Sequence, residues 1–439
     1  MRKHKTFLTV LIITLSLALS VQTYAFNLKN KVKEFKLKNG MRWLLVQRNQ
    51  APVFSGVVML RVGGADEEPG KTGLAHMFEH MAFKGSSQLG PNEIWEIMSR
   101  NGAADLNAFT SKDVTAYHAS MPSNKLGLWL NIMSQIVTEP VFDEFYTERD
   151  VVLEERRNSI ENNPVGKMLE VLLDKSYNEG PYAWPIIGEL SDVSSFTVED
   201  ASQFHQKYYV ASNMVGVLVG DFNLKQAQEL IAKYFEIIPQ ADVPKMKSFF
   251  KSGGSGQHTL KFDAEPALAM SYHKSTLPDP DEFVFDVIEV ILCHGPTSRL
   301  QKRLVYQEKI ASDIYCSNSY PGSRFDNLFL IFAEPTKSHS LTELSQKIKE
   351  ELNRLKTEPV SEEELERVRN NVAATIIYSM ENNDGLAMQL AQFETIFGDW
   401  KLLPKYPKKI EQVNIHDIER VAKKYFTDNN LTEVERVKK

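Results

Sequence analysis

A repeat constrains this chain more than any other feature. The segment "TEPVFDEFYTERDVVLEERRN", starting at Thr138, aligns with "TEPVSEEELERVRNN", starting at Thr357. Each block follows one amphipathic helical pattern and opens another, so the order of elements recurs along with the letters. A duplicated unit of strands and helices implies an α+β chain of two similar lobes, each a mostly antiparallel sheet flanked by helices, facing one another across a cleft. At 439 residues and 42% hydrophobic content there is enough chain for two such cores.

The seam between the halves is written in composition. "PQADVPKMKSFFKSGGSGQ" has two prolines and then Ser252-Gly253-Gly254-Ser255-Gly256, which is linker chemistry. The expected division is an N-terminal domain over 26–238, a linker over 239–256 and a homologous C-terminal domain over 257–439. In the first half "FKLKNGMRWLLVQ" alternates about Asn39-Gly40, a hairpin signal, and "VFSGVVMLRVGG" is another strand. "PNEIWEIMSRNG" reads as a short helix between Pro91 and Gly102, and "DLNAFTSKDVTAYHASMP" as two strands. Helices are expected over 123–137 and 142–161. Past the linker the pattern restarts with strands "HTLKF" and "ALAMSYH" and a helix over 281–293.

Residues 1–25 stand apart. Arg2, Lys3 and Lys5 precede an uncharged run from Thr6 to Val21, and Ala25 offers a small residue for cleavage. This is the layout of a secretory signal peptide, so a periplasmic or secreted protein with no stable membrane span after cleavage is expected. Losing those three cations takes the formal charge from −6 to about −9, which is the wrong sign for a nucleic-acid partner. In an exported chain Cys293 and Cys316 allow one disulfide, and two buried thiols fit as well.

"GLAHMFEHMAFKGS", residues 73–86, puts His76 and His80 one helical turn apart with Glu79 between them in sequence. Helix formers surround the pair, and Gly73 and Gly85 bracket them. Two imidazoles on one face can share an ion, but two histidines alone also suit a buried helix, so a third ligand is needed. "ERDVVLEERRNS" supplies carboxylates. Glu148 and Glu155, seven apart, share a helical face within about 20°, and Glu154 points about 100° away from Glu155. Spacing alone leaves Glu154 and Glu155 both open, and a solvated face laced with Arg149, Arg156 and Arg157 is a third possibility.

Five ordered blocks carry a resemblance: "VGGADEEPGKTGLAHMFEHMAFKGS", "NAFTSKDVTAYHASMP", "ERDVVLEERRNS", "GPYAWPIIGE" and "YYVASNMVGVLVGDF". Together they resemble the pitrilysin/insulinase family of inverted-motif zinc peptidases, whose relatives include the mitochondrial processing peptidase. The resemblance implies that His76 and His80 bind Zn2+ and that Glu79 is the general base. The third ligand it implies is the glutamate seven residues after that of the "ER" pair, Glu155. Glu148 would then support the site, and the strand with Asn107 and Ala108 would lie at the cleft edge, where an extended peptide can add as a strand.

The activity implied is a zinc-dependent endopeptidase hydrolysing peptides or unfolded segments in an enclosed cleft. The alternative is a non-catalytic structural or assembly subunit of the same family, although such members typically lose the metal residues and this chain keeps them. Zinc storage would want histidine tracts, whereas the ten histidines here are scattered.

One departure bears on partners. Single-chain active relatives carry an Arg and a Tyr, seven apart, in the second domain. Anchored on "SRL" in "GPTSRLQKRLVYQEKIASDIYCSNS", these positions fall on Val305 and Ser312. Arg299 and Tyr306 have the spacing but the wrong register, and a shifted alignment would use Arg303 or Tyr315. The expectation is a heterodimer in which a homologous non-zinc subunit supplies the Arg and Tyr.

Overall fold

The structure is a computed structural model that describes residues 28–243, 251–252 and 255–439. The expected signal peptide and half of the expected linker lie outside the described residues. The first half contributes strands β1 (Lys33–Lys36), β2 (Arg42–Gln47), β3 (Val53–Leu60), β4 (Ala104–Thr110), β5 (Thr115–Pro122), β6 (Tyr177–Glu179) and β7 (Met214–Gly220). The rest are β8 (Lys251–Ser252), β9 (Gly256–Phe262), β10 (Ala267–Lys274), β11 (Ala311–Tyr320), β12 (Asn327–Pro335) and β13 (Leu431–Lys438). β6 and β8 form a small ladder of their own.

The duplication is visible strand by strand. The first sheet runs β1-β2-β7-β3-β5-β4 and the second β11-β12-β10-β13-β9. Read from the other end, the second becomes β9-β13-β10-β12-β11, which matches β2-β7-β3-β5-β4 in order. Directions match too: β2 with β7 and β9 with β13 are the parallel pairs, and the remaining pairs of both sheets are antiparallel. The expected hairpin at Asn39-Gly40 joins β1 to β2, with Gly40 at φ 93°.

Helices α1 (Leu74–Met81) and α2 (Glu93–Arg100) lie between β3 and β4. α3 (Leu126–Thr138), α4 (Phe145–Arg156), α5 (Pro164–Ser176) and α6 (Val198–Tyr208) lie between β5 and β7, and α7 (Leu224–Phe235) follows β7. In the second half α8 (Asp281–Cys293) takes the place of α1. α9 (Leu341–Thr357), α10 (Glu362–Ser379), α11 (Asn383–Phe397), α12 (Tyr406–Gln412) and α13 (Ile415–Tyr425) precede β13. Their starts follow side-chain chemistry: Asn163, Ser340, Ser361, Asn382 and Asn414 each accept a backbone N–H from the first turn.

The central strands of the first sheet are buried on both faces, which is why "VFSGVVML" and "MVGVLVG" read as apolar runs without polar alternation. One face of the first sheet meets its own helices. There Gly56 lies under Trp129 and Gly216 under Trp43, so close that an added Cβ would stand 2.3 Å from either ring. The other face is covered from the second half: Leu386, Ala387, Leu390 and Ala391 of α11 pack on Val57, Met59, Val217 and Val219. Reciprocally, Met168 and Leu172 of α5 pack on Ala267, Ala269, Leu330 and Val434 of the second sheet. The halves have exchanged equivalent helices, so the division expected at 239–256 is not a division of the packing.

Two boundaries differ from expectation. The helix expected to 161 is α-helical only to Arg156 and continues as a π turn over Arg157–Glu161. Asn163 and Pro164 then start α5, and Gly166 lets the two helices meet, since a Cβ there would lie 1.9 Å from the Ser159 carbonyl oxygen. The helix expected just after Pro91 begins at Glu93, because Asn92 is left-handed at φ 66°. Cys293, closing α8, is disulfide-bonded to Cys316 of β11.

Candidate active site

α1 starts at Gly73, left-handed at φ 98°, and buries Leu74, Ala75, Met77, Phe78 and Met81. That apolar face leaves His76, Glu79 and His80 on the side turned to α4 and β4. α4 is anchored by Phe145 and Val152, which point inward and aim Glu148 and Glu155 at α1. His76 Nε2 lies 3.7 Å from Glu155 Oε1, and His80 Nε2 lies 3.2 Å from Glu155 Oε2. The three residues can each present one ligand atom within 4.8 Å of the others. Glu154 instead faces solvent, where Arg157 and Asn158 hold it.

Glu148 contacts the other side of His80, with Oε1 2.8 Å from Nδ1 and Oε2 2.6 Å from Lys84 Nζ. A proton on Nδ1, held by Glu148, leaves the Nε2 lone pair for a metal. Burial opposes charge on His80, but hydrogen bonds to Glu148 and then Glu155 carry it up to about 9, so an ion taken up at Nε2 would displace the proton shared with Glu155. Burial and the His80 charge push His76 down to about 4, keeping its imidazole neutral. The His76 Nδ1 is buried without a partner. Two imidazole nitrogens and a carboxylate oxygen converging on one point are the donor set zinc takes in hydrolytic sites, so the residues present fit that ion.

Glu79 is next to this cluster. Burial raises its carboxyl above the usual range, against the pull of a Thr110 hydrogen bond. Thr110 ends β4, an edge strand of the first sheet. Asn107 and Ala108 lie on that strand opposite His118 and Tyr117, after a bulge between Ala104 and Asn107. The far side of β4 is free among the described strands. A cavity of about 450 Å³ opens over the cluster, reached by His76, Glu79 and Glu155 and walled by Phe109, Ile160 and Ile187.

Several contributors were invisible at the level of motif. Glu67 accepts N–H bonds from Gly73 and Ala75, both 2.8 Å, and so caps α1 from outside the helix. Lys84, one turn beyond His80, holds Glu148, and helical spacing could have flagged it. The second half contributes Tyr320 and Pro321 to the cavity wall. Val305 is in a π turn packed on the second core, and Ser312 is exposed with its hydroxyl on the Glu334 carbonyl. Arg299 is gripped by Glu364, and Arg303 by Glu308, Glu350 and Glu351. Tyr306 is exposed and Tyr315 stacks on Phe332. None of these six lines the cavity.

Comparison with known proteins accords with this geometry. Residues 43–189 match the family described as insulinase (peptidase family M16), and residues 195–372 the one described as peptidase M16 inactive domain. "Zinc protease PqqE" of Helicobacter pylori is 29% identical over 97% of this chain and 96% of its own length. "Probable mitochondrial-processing peptidase subunit beta" of Arabidopsis thaliana is 24% identical over 90% of this chain and 76% of its own. The crystal structure of a protease from Helicobacter pylori superposes with a TM-score of 0.87 at 28% identity, covering 93% of this chain and 99% of that one. With its duplicated sheets, its H-x-x-E-H helix and these matches along most of its length, the chain belongs to the insulinase family of peptidases, M16.

Proposed function

We propose that this protein is a zinc-dependent endopeptidase acting on peptides or unfolded segments, and that it is the catalytic subunit of a heterodimer. One observation carries the reading: His76, His80 and Glu155 converge beside Glu79 at the free edge of β4. Zinc, when bound, supplies a Lewis acid that activates water and polarises a carbonyl. The chain's own residues do the rest. His76, His80 and Glu155 hold the ion, and Glu148 fixes the ring of His80. Glu79, its carboxyl raised by burial, takes a proton from water and returns it to the leaving amine. Asn107 and Ala108 offer main-chain groups to an extended substrate, which binds as an added strand independently of its sequence.

Support for a partner comes from the second half. The residues at the expected Arg and Tyr positions are Val305 and Ser312, and the nearby arginines are tied up by glutamates. A homologous chain lacking H-x-x-E-H is proposed to supply both groups. Export to the periplasm or beyond is part of the same proposal and is supported by the Cys293–Cys316 disulfide, a bond that persists in oxidising compartments. The deciding experiment measures zinc content and cleavage of a fluorogenic peptide by the purified chain, alone and mixed with such a homologue. One bound zinc, with cleavage only on mixing, is the expected result. Robust hydrolysis by the chain alone, unchanged on mixing, would remove the partner, and a chain that binds no zinc would overturn the enzyme. N-terminal sequencing of the natural protein should begin near Phe26.

A further inference from the structure

Two acidic and basic dipeptides behave unusually in this fold. Asp66-Glu67 precedes α1, and Lys112-Asp113 fills the turn between β4 and β5. All four side chains are buried. Glu67 meets the start of α1 and Lys112 the loop beside it, whereas Asp66 and Asp113 face the second lobe. Glu67 caps α1 through Gly73 and Ala75. Lys112 donates to the carbonyls of Pro181 and Trp184, in the loop that reaches Ile187 beside Gly73. Asp66 receives Arg324 Nη2 at 2.8 Å, and Asp113 accepts the backbone N–H groups of Ser323 and Arg324 at 2.6 and 3.1 Å. Tyr182, next to Pro181, donates to Asp113 at 2.5 Å and accepts from the Arg324 N–H at 3.1 Å.

Arg324 and Ser323 belong to the β11–β12 hairpin, whose strand end and turn place Tyr320 and Pro321 in the wall of the zinc cavity. The hairpin tip fits closely: a Cβ on Gly322 would stand 2.6 Å from the Tyr182 hydroxyl and 2.7 Å from Asp113 Oδ2. The backbone joins the two sides of each dipeptide directly, and Ala65 N–H to the Lys112 carbonyl, 2.8 Å, joins the dipeptides to one another. A shift of the hairpin therefore moves the groups that cap and flank α1. We infer that Arg324, a second-lobe residue outside the cavity lining, is a positioning residue for the zinc centre, acting through Asp66-Glu67 and Lys112-Asp113 on the attitude of α1. This deepens the peptidase reading and rests on it.

The test uses the full chain with its proposed partner. Arg324→Met strands two buried carboxylates and can unfold the protein, so the milder Arg324→Lys and Tyr182→Phe are made beside it, with Glu67→Gln and the Arg324→Lys/Glu67→Gln double variant. Zinc affinity is read by chelator competition, separately from kcat and KM. Arg324→Lys and Tyr182→Phe are expected to melt cooperatively, to bind zinc about tenfold more weakly and to lose about tenfold in kcat with KM within about twofold. The double variant should lose less than the product of the single losses, because both act on one element. Unchanged zinc affinity in both mild variants, or losses that multiply, would overturn the inference. If the wild type binds zinc but cleaves no peptide, the peptidase reading fails while zinc affinity still judges the positioning role.

Discussion

Glu79 and Glu155 are carboxylates lining the same cavity, and their environments separate the roles proposed for them. His80 hydrogen-bonds Glu155 and holds it below the ordinary range, as suits a ligand, whereas burial lifts Glu79, as suits a base. Glu79→Gln should keep stoichiometric zinc while peptidase activity falls by about 10²–10⁴. Alanine at His76, His80 or Glu155 should lose the metal, and Glu154→Ala should keep it, as metal analysis of the four variants would show. Loss of zinc on Glu79→Gln, or its retention by Glu155→Ala, would contradict these roles. Glu148→Gln tests the support of His80: zinc should bind roughly 10–100-fold more weakly by chelator competition, with the fold intact.

At the scale of elements, α8 repeats the position of α1 with different chemistry. It presents Glu282, Asp286 and Glu289 to β11, where Asn318 donates its amide to Glu282 and Asp286 and its backbone N–H to Glu289. Lys274 pairs with Glu282. Burial is the main cause that pushes Glu289 up to about 7, from an ordinary 4.5. The folded chain thus binds this proton more tightly than the unfolded chain. The stability it contributes is fully present below about pH 4 and is lost as pH rises through about 7. Glu289→Gln should raise Tm at pH 8 by a few degrees, with the gain shrinking toward pH 4 in a series of thermal melts. A gain that does not vary with pH would refute the assignment.

The whole molecule is held by exchange. Covering the first sheet with α11 and the second with α5 buries side chains worth about 1.5–3 kcal/mol each, so neither half keeps a complete core alone. Residues 26–238 expressed without the second half should expose the face of Val57, Met59, Val217 and Val219 and aggregate or bind ANS. Co-expression with 257–439 should restore a soluble complex. A monomeric first half with a cooperative melt of its own would show that the exchange is dispensable. The same interlocking suits a cavity wall over His76, Glu79 and Glu155 that is built from both halves.

Much of this was legible in the residues because it is local. Strand alternation, the Asn39-Gly40 turn and the pair of histidines on one helical face depend on periodicities of two and 3.6 residues, and the repeat at Thr138 and Thr357 carries the two-lobed order by itself. Helical spacing also stated that Glu154 and Glu155 diverge, but not which of them meets α1. That depends on the rotation of α4 about its axis, set by the burial of Phe145 and Val152 against distant elements. The exchange of α5 and α11, the pairing of Cys293 with Cys316 and the docking of Arg324 on Asp66 likewise join segments far apart in sequence. A side chain's direction from its own helix or strand is a property of the neighbouring residues. What that direction meets is decided by long-range packing, and so only by the tertiary structure.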